Sequence, residues 1–299
     1  NNGGRIMIKK GVYAAGLSVL NKDLSVNIDA TINHAEGLIQ NGLHGVFFWG
    51  STGQSQLVSL QDKKKLISKI SNHKLKKQFF LGTGNNSLQD NIELIDHGFK
   101  NKFETYLLMP PAYYPKTDQG VFNFYQKIIS TFPKIIIGIY NFEKLCGYKF
   151  SVEAIIRLVK NYPNNIRFVK DSSYNLFQTL NIKDLLVFPG SETKLKTGLD
   201  NGCSGSISAV LNVTHSLARK VFDDFSNKKD QTDNEKLIKV RETFDKYQLI
   251  SALHTYLSIE DEKYKNLLPP LVLLSEEKKL ELLSKLKELN FLTKKNIAA

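Results

Sequence analysis

Cysteine is nearly missing from this chain: 299 residues contain two, Cys146 and Cys203. Two thiols without metal-ligand spacing exclude a disulfide framework and a cysteine-bound metal, and a reducing cytoplasm is the expected setting. Long apolar runs are missing too. None reaches the roughly 18 residues of a membrane span, so no membrane partner is expected. Lys9-Lys10 followed by Gly11–Leu20 has the charge order of a signal peptide, but no small-residue cleavage site precedes Asn21-Lys22-Asp23. A first strand explains it better. Asn1–Arg5, ahead of Met7, read as an addition foreign to the native chain. Acidic residues are the third shortage, 29 against 41 Lys and Arg, for a formal charge of +12. The excess lies in helix-like stretches such as Asp62-Lys63-Lys64-Lys65 and Lys74-Leu75-Lys76-Lys77. These lack the interleaved aromatics and basic glycine-rich loops of a nucleic-acid groove. The expectation is solvated helix surface with some attraction for small anions, and no nucleic-acid partner.

What the chain has instead is alternation. Short β-rich runs fall at 11–20, 45–50, 78–84, 105–110, 134–141, 166–171, 185–191 and 204–210. Stretches with helical periodicity separate them, such as Ile28, Ile32, Ala35, Leu38 and Ile39, or Val152, Ile155, Ile156 and Val159. Apolar runs without alternation suit strands covered on both faces, and strict β/α order calls for a parallel sheet. Eight units predict an α/β fold, a (β/α)8 TIM barrel, over residues 8–228, with a doubly wound open sheet as the alternative. Helix-like segments at 213–228, 234–256 and 276–290 make 229–299 a helical C-terminal region.

A barrel of this kind carries its chemistry where strands end. The polar residues there are Gly50-Ser51-Thr52-Gly53, Thr83-Gly84-Asn85, Tyr113-Tyr114, Tyr140-Asn141, Lys170-Asp171, Gly190-Ser191-Glu192 and Ser208. Lys170 ends the apolar run IRFVK. Partial desolvation there favours the neutral amine, which attacks a carbonyl, so Lys170 is a candidate Schiff-base lysine; the plainer reading is a strand-end lysine reaching into solvent. A Schiff base with a 2-oxo acid is an electron sink that lets a carbon–carbon bond form or break. The oxo acid's carboxylate needs donors, which Ser51 and Thr52 offer between Gly50 and Gly53, although an ordinary βα loop looks the same. No Gly-Lys-Ser/Thr follows, so this is not a P-loop. Tyr140 can shuttle protons, or can be a core aromatic with a wet hydroxyl. The six histidines suggest no triad or metal site, and His44 and His97 read as structural.

The segments GSTGQ at 50–54, PPAYYPK at 110–116, YNFEKLCG at 140–147, VKDSS at 169–173 and PGSETKLKTGLDNGCSGSIS at 189–208 stand in this order. Together they resemble the dihydrodipicolinate synthase / N-acetylneuraminate lyase family, the class I pyruvate-dependent aldolases. The resemblance runs from about residue 10 to 225 by motif. It implies a barrel followed by helices, assembled as a homotetramer (a dimer of dimers), with no metal or organic cofactor. Lys170 matches the Schiff-base lysine and Tyr140 the proton-shuttling tyrosine. Ser51 and Thr52 match the pair that holds pyruvate's carboxylate, Ser51 also joining the tyrosine relay. Tyr113 matches a tyrosine lent across a subunit interface, with Tyr114 as its alternative.

The departures bear on the second substrate. Members that condense pyruvate with aspartate semialdehyde carry an arginine where this chain has Leu145, which disfavours 4-hydroxy-tetrahydrodipicolinate synthase activity even with Lys144 adjacent. Phe142-Glu143 replaces the usual small apolar residue and proline. Gly190, Glu192 and Ser208 are candidate contacts for a polyol chain, with Thr193 in place of an acid. The resemblance therefore points to cleavage or formation of a 2-keto-3-deoxy sugar acid from pyruvate and an aldehyde such as glyceraldehyde. N-acetylneuraminate lyase is the second reading, and a non-catalytic barrel that binds a 2-oxo acid is the alternative of another class.

Overall fold

The eight expected runs form strands β1 (Gly11–Ala15), β2 (Gly45–Phe48), β3 (Phe79–Gly82), β4 (Thr105–Leu108), β5 (Ile136–Asn141), β6 (Ile166–Asp171), β7 (Leu186–Pro189) and β8 (Gly205–Ser208). The structure is a computed structural model that describes residues 8–292, so Asn1–Arg5 and the end of the expected C-terminal region lie outside it. The strands are shorter than the runs because the flanking residues turn into loops at the barrel ends.

All pairings are parallel, in the order β7-β6-β5-β4-β3-β2-β1-β8. The seam between β7 and β8 is bridged by Ser204 N–H to the Val187 carbonyl at 2.8 Å and by the Ser206 hydroxyl to the Pro189 carbonyl at 2.8 Å. The fold is thus a nearly closed (β/α)8 barrel, and the open-sheet alternative falls. Strand alternation divides the side chains. Tyr13, Phe47, Phe80, Phe168, Phe188 and Ile207 fill the interior, while Val12, Val46, Leu81, Leu108, Ile139 and Val169 face the helices.

Helices α1 (Ile28–Gln40), α2 (Leu60–Ile70), α3 (Leu88–Lys100), α4 (Asp118–Thr131), α5 (Glu143–Cys146), α6 (Val152–Asn161), α7 (Leu195–Asp200) and α8 (Leu211–Ser226) surround the strands. Asn27, Ser59, Ser87, Thr117 and Ser151 cap five of them by accepting a first-turn N–H. Each such cap contributes about 1 kcal/mol and fixes where the helix starts. Alternation is not strict: the connection from β6 to β7 holds no α-helix. There the Asp171 carboxylate accepts the N–H groups of Tyr174, Leu176 and Phe177 at 3.0, 2.9 and 2.9 Å, which winds the chain into a compact turn.

Helices α9 (Asn234–Asp245), α10 (Leu249–Ser258) and α11 (Glu276–Glu288) form the C-terminal region. The single helix expected over 234–256 is two, because Gln248 leaves helical geometry and its side chain caps Ser251 N–H at 2.7 Å. Val240, Phe244, Leu253, Leu282 and Leu286 pack with Leu17, Val210 and Val213 of the barrel, so these helices share a core with it. Among the described residues no helix is long and apolar enough to cross a membrane.

Candidate active site

Lys170 and Tyr140 occupy paired positions on β6 and β5. Both side chains point into the barrel, since Tyr140 belongs to the interior cluster and Lys170 shares the parity of Phe168. The Lys170 Nζ donates to the Tyr140 hydroxyl at 3.3 Å and lies 4.3 Å from the centroid of its ring. Lys170 is 3% exposed, and among the described residues no carboxylate pairs with it. A buried amine next to a phenol and free of an ion pair is poised to act as a nucleophile with a proton carrier beside it.

Ser51 opens the short turn Ser51–Gly53 after β2, and its Oγ lies 3.5 Å from the Tyr140 hydroxyl. Thr52 beside it is buried. The turn is tightened by Gly53 N–H to the Gly50 carbonyl at 3.1 Å and pinned to β1's loop by the Ser18 hydroxyl, which donates to the Gly53 carbonyl at 2.7 Å. A cavity of about 30 Å³ opens beside Ser51 and Tyr140, lined also by Trp49, Thr83, Asn85 and Met109. Lys63 of α2 supports that side, donating to the Thr83 carbonyl at 2.7 Å and Asn85 Oδ1 at 2.8 Å. It was expected on a solvated face, yet it is wholly buried, and burial pushes its pKa down to about 8.

Other expected residues are placed elsewhere. Tyr113 is 89% exposed, with φ of 81° and its ring edge-on to Tyr114 at 5.2 Å, so a single chain does not bring it to Lys170. Leu145 sits on the one-turn α5 and is half-exposed. Gly190 lies against the lysine's own loop: its N–H bonds the Asp171 carbonyl at 2.9 Å, and a Cβ there would stand 2.1 Å from Ser172 Oγ. A side chain there would force Ser172 to move.

Glu192 and Ser208 are not on the lysine's side of the strand ends. Ile207 points inward, so Ser208 points outward. Its hydroxyl donates to Glu192 Oε1 at 2.8 Å and accepts from Arg241 Nη1 at 2.7 Å. Arg241 of α9 also pairs with Glu192 Oε2 at 2.8 Å, Thr214 adds a hydroxyl to Glu192 Oε1 at 3.3 Å, and Arg241 Nε reaches Asp245 at 2.8 Å. Burial opposes the Arg241 charge, but the Glu192 and Asp245 carboxylates outweigh it and hold the guanidinium protonated above its ordinary range. Thr193 is engaged by Ser191 at 2.9 Å. Arg241 carried no sign in the sequence, since its partner is 49 positions away. Asn141 and Asp171 were expected among the polar residues of the mouth, but the bond between them left no sign in the sequence. Asn141 Nδ2 donates to Asp171 Oδ1 at 2.9 Å, locking the ends of β5 and β6 and hence the spacing of Tyr140 and Lys170.

A parallel barrel whose mouth holds a buried lysine, a phenol and a hydroxyl turn belongs with the aldolases and lyases. The chain matches the model of the Dihydrodipicolinate synthetase family over residues 9–289, and it is a member of that family, a carbon–carbon lyase. It is 28% identical over 210 residues to a 4-hydroxy-tetrahydrodipicolinate synthase of Methanothrix thermoacetophila, covering 68% of this chain and 70% of that one. It is 25% identical over 233 residues to a 2-dehydro-3-deoxy-D-gluconate/2-dehydro-3-deoxy-phosphogluconate aldolase of Picrophilus torridus, covering 75% and 85%. The crystal structure of dihydrodipicolinate synthase from Agrobacterium tumefaciens superposes with a TM-score of 0.85 at 25% identity, covering 94% of this chain and 99% of that one.

Proposed function

We propose that this lyase is a Schiff-base aldolase that joins pyruvate to an aldehyde, or cleaves the 4-hydroxy-2-oxo acid that results. The observation that carries the reading is the Lys170–Tyr140 contact at 3.3 Å, with Ser51 3.5 Å from the same phenol. The neutral amine of Lys170 adds to the ketone carbon of pyruvate and water leaves, giving an iminium. Loss of a methyl proton gives an enamine, and its terminal carbon attacks the aldehyde carbon while the aldehyde oxygen takes up a proton. Water then releases the product and restores the amine. Tyr140, in touch with both Lys170 and Ser51, is the group that moves protons in these steps. Ser51 and Thr52 receive the carboxylate.

The second substrate follows the relatives and the departures together. A 2-keto-3-deoxy sugar acid, with glyceraldehyde as the aldehyde, agrees with the similarity to the Picrophilus torridus aldolase. Leu145 offers no charge to a second carboxylate, which argues against aspartate semialdehyde. Glu192 and Ser208, spent on Arg241, remove the support that sialic-acid cleavage drew from them. The exposed Tyr113 and Tyr114 rings supply the apolar face that a second subunit would cover, in a dimer or a tetramer. The free, buried thiols of Cys146 and Cys203 suit a reducing cytoplasm.

Incubation with pyruvate and borohydride, followed by peptide mass spectrometry, tests the reading. An adduct on Lys170 is the expected result. No adduct from a folded protein would overturn it.

A further inference from the structure

Gln54 takes no part in the steps above, although it closes the turn that receives the carboxylate. Its N–H donates to the Ser51 carbonyl at 3.0 Å, and its backbone sits in the left-handed region with φ of 59°. A residue other than glycine keeps that conformation only where its surroundings enforce it. Here the side chain is 2% exposed, and its Oε1 accepts the N–H of Leu268, 214 positions away, at 2.8 Å. Leu268 lies in the segment that joins α10 to α11, so one buried amide ties the C-terminal region to the Ser51–Thr52 turn.

That segment is fastened on both sides of the bond. Ahead of it, the Tyr264 hydroxyl donates to His34 Nδ1 of α1 at 2.7 Å, and Asn266 Nδ2 donates to the Leu20 carbonyl, in the loop after β1, at 3.0 Å. Beyond it, Leu274 N–H donates to Thr255 Oγ1 of α10 at 3.0 Å. Leu20 and Gln54 both follow strand ends on the catalytic side of the barrel, so the segment runs as a strap across the loops after β1 and β2. The turn is gripped at two neighbouring residues, Gly53 by the Ser18 hydroxyl and Gln54 by the strap. We propose that Gln54 is a positioning residue for pyruvate: through it, the strap between α10 and α11 holds the Ser51–Thr52 turn in the shape that receives the carboxylate. The proposal rests on the pyruvate-aldolase reading and extends that site into the C-terminal region. Loss of the bond frees the turn to leave its left-handed geometry, which weakens binding of the carboxylate rather than the chemistry at the ketone.

The test is borohydride trapping on Lys170 across a range of pyruvate concentrations, with acetone, a ketone that has no carboxylate, as the control. It compares the wild type with Gln54→Leu, Gln54→Glu and Asn266→Ala. Gln54→Leu keeps the bulk and loses the acceptor, so the pyruvate concentration for half-maximal adduct should rise about tenfold, with the same plateau and unchanged trapping of acetone. Gln54→Glu keeps an oxygen for the Leu268 N–H and should return that concentration to within about threefold of the wild type. Asn266→Ala loosens the strap at a half-buried position and should raise it about two- to threefold. A merely structural role predicts a lower thermal midpoint with pyruvate and acetone affected alike. That pattern in Gln54→Leu, or a Gln54→Glu protein as impaired as Gln54→Leu, would overturn the proposal. Should Gln54→Leu not fold, Asn266→Ala decides, and an unchanged pyruvate response there overturns it. No pyruvate adduct in the wild type defeats the aldolase reading and the role of Gln54 with it, whereas a wild-type adduct with an unmoved pyruvate response in Gln54→Leu defeats the positioning role alone.

Discussion

Tyr140 and Lys170 face the inside of the barrel, while their chain neighbours Asn141 and Asp171 face the helices, and the two sides are built on opposite terms. Inside, polar groups are few and loosely held: 3.3 Å from Lys170 to Tyr140 and 3.5 Å from Tyr140 to Ser51. Outside, most contacts are short and shared. Asp171 accepts four N–H groups at 2.9 to 3.0 Å, and Glu192, Ser208 and Arg241 close on one another at 2.7 to 2.8 Å. Strand alternation thus separates chemistry from stability within two residues. In the proposed reaction Lys170 and Tyr140 must exchange partners, and they are left with few hydrogen bonds while the residues next to them are fixed by theirs.

If that division is real, substitutions on the two sides should fail in different ways. Lys170→Ala should cost the most activity, ~10⁴-fold or more, because nothing replaces a covalent step. Its thermal midpoint should hold or rise, since a buried amine is removed. A large drop in the midpoint would show that the inner side is structural after all. Tyr140→Phe comes next: turnover should fall by roughly 10²- to 10⁴-fold, the usual worth of a positioned acid–base group, while borohydride trapping with pyruvate continues. Equal loss of trapping and turnover would move Tyr140 from proton carrier to support.

The outer side should behave the other way. Arg241→Met strands the Glu192 carboxylate in a site with no exposure and should destabilise the fold by about 3 to 5 kcal/mol in urea titration. Adding Glu192→Leu should recover most of that, since replacing a whole buried pair with apolar groups is often neutral. If the single variant kept its stability but lost kcat, Arg241 would belong to the chemistry and the division would fail.

The inner side was far easier to read from the sequence than the outer one. Lys170, Tyr140 and Ser51 each stand where an apolar run gives way to polar residues, a local signal that needs no knowledge of packing. Ser208 and Glu192 were expected at the mouth because they too follow strands, but a shift of one residue reverses the face, and Ile207 rather than Ser208 points inward. Lys63 shows a signal that was present and masked. It lies in a run of lysines, yet with Leu66, Ile67 and Ile70 it shares the i, i+3, i+4, i+7 stripe that helix α2 buries. The break after Asp245 and the turn that replaces a helix after β6 depend on single side chains, Gln248 and Asp171, whose partners no periodicity reveals.

The smallest expected effect per residue concerns acid, which should attack the outer layer and spare the inner one. His34 and His254 are buried among the helices and strand ends, and burial pulls the pKa of each down to about 4. His34 Nδ1 accepts from the Tyr264 hydroxyl at 2.7 Å, and its Nε2–H donates to Asn212 Oδ1 at 2.8 Å; Asn212 in turn donates to the Ala15 carbonyl of β1 at 2.7 Å. His254 donates from Nδ1 to the Tyr264 carbonyl at 2.8 Å, and among the described residues its buried Nε2 has no partner that could receive a second proton. The folded values lie below the unfolded value of about 6.5, so between those limits the unfolded chain binds more protons. Stability from each imidazole is complete above about pH 6.5 and is lost as the pH falls through about 4, with about 2 kcal/mol gone per histidine at pH 5. Urea midpoints at pH 7 and pH 5 should record that loss, and His254→Leu, which cannot take the proton, should lose about 2 kcal/mol less between the two. An identical drop in that variant would mean that His254 takes no part and that acid enters the sealed layer elsewhere.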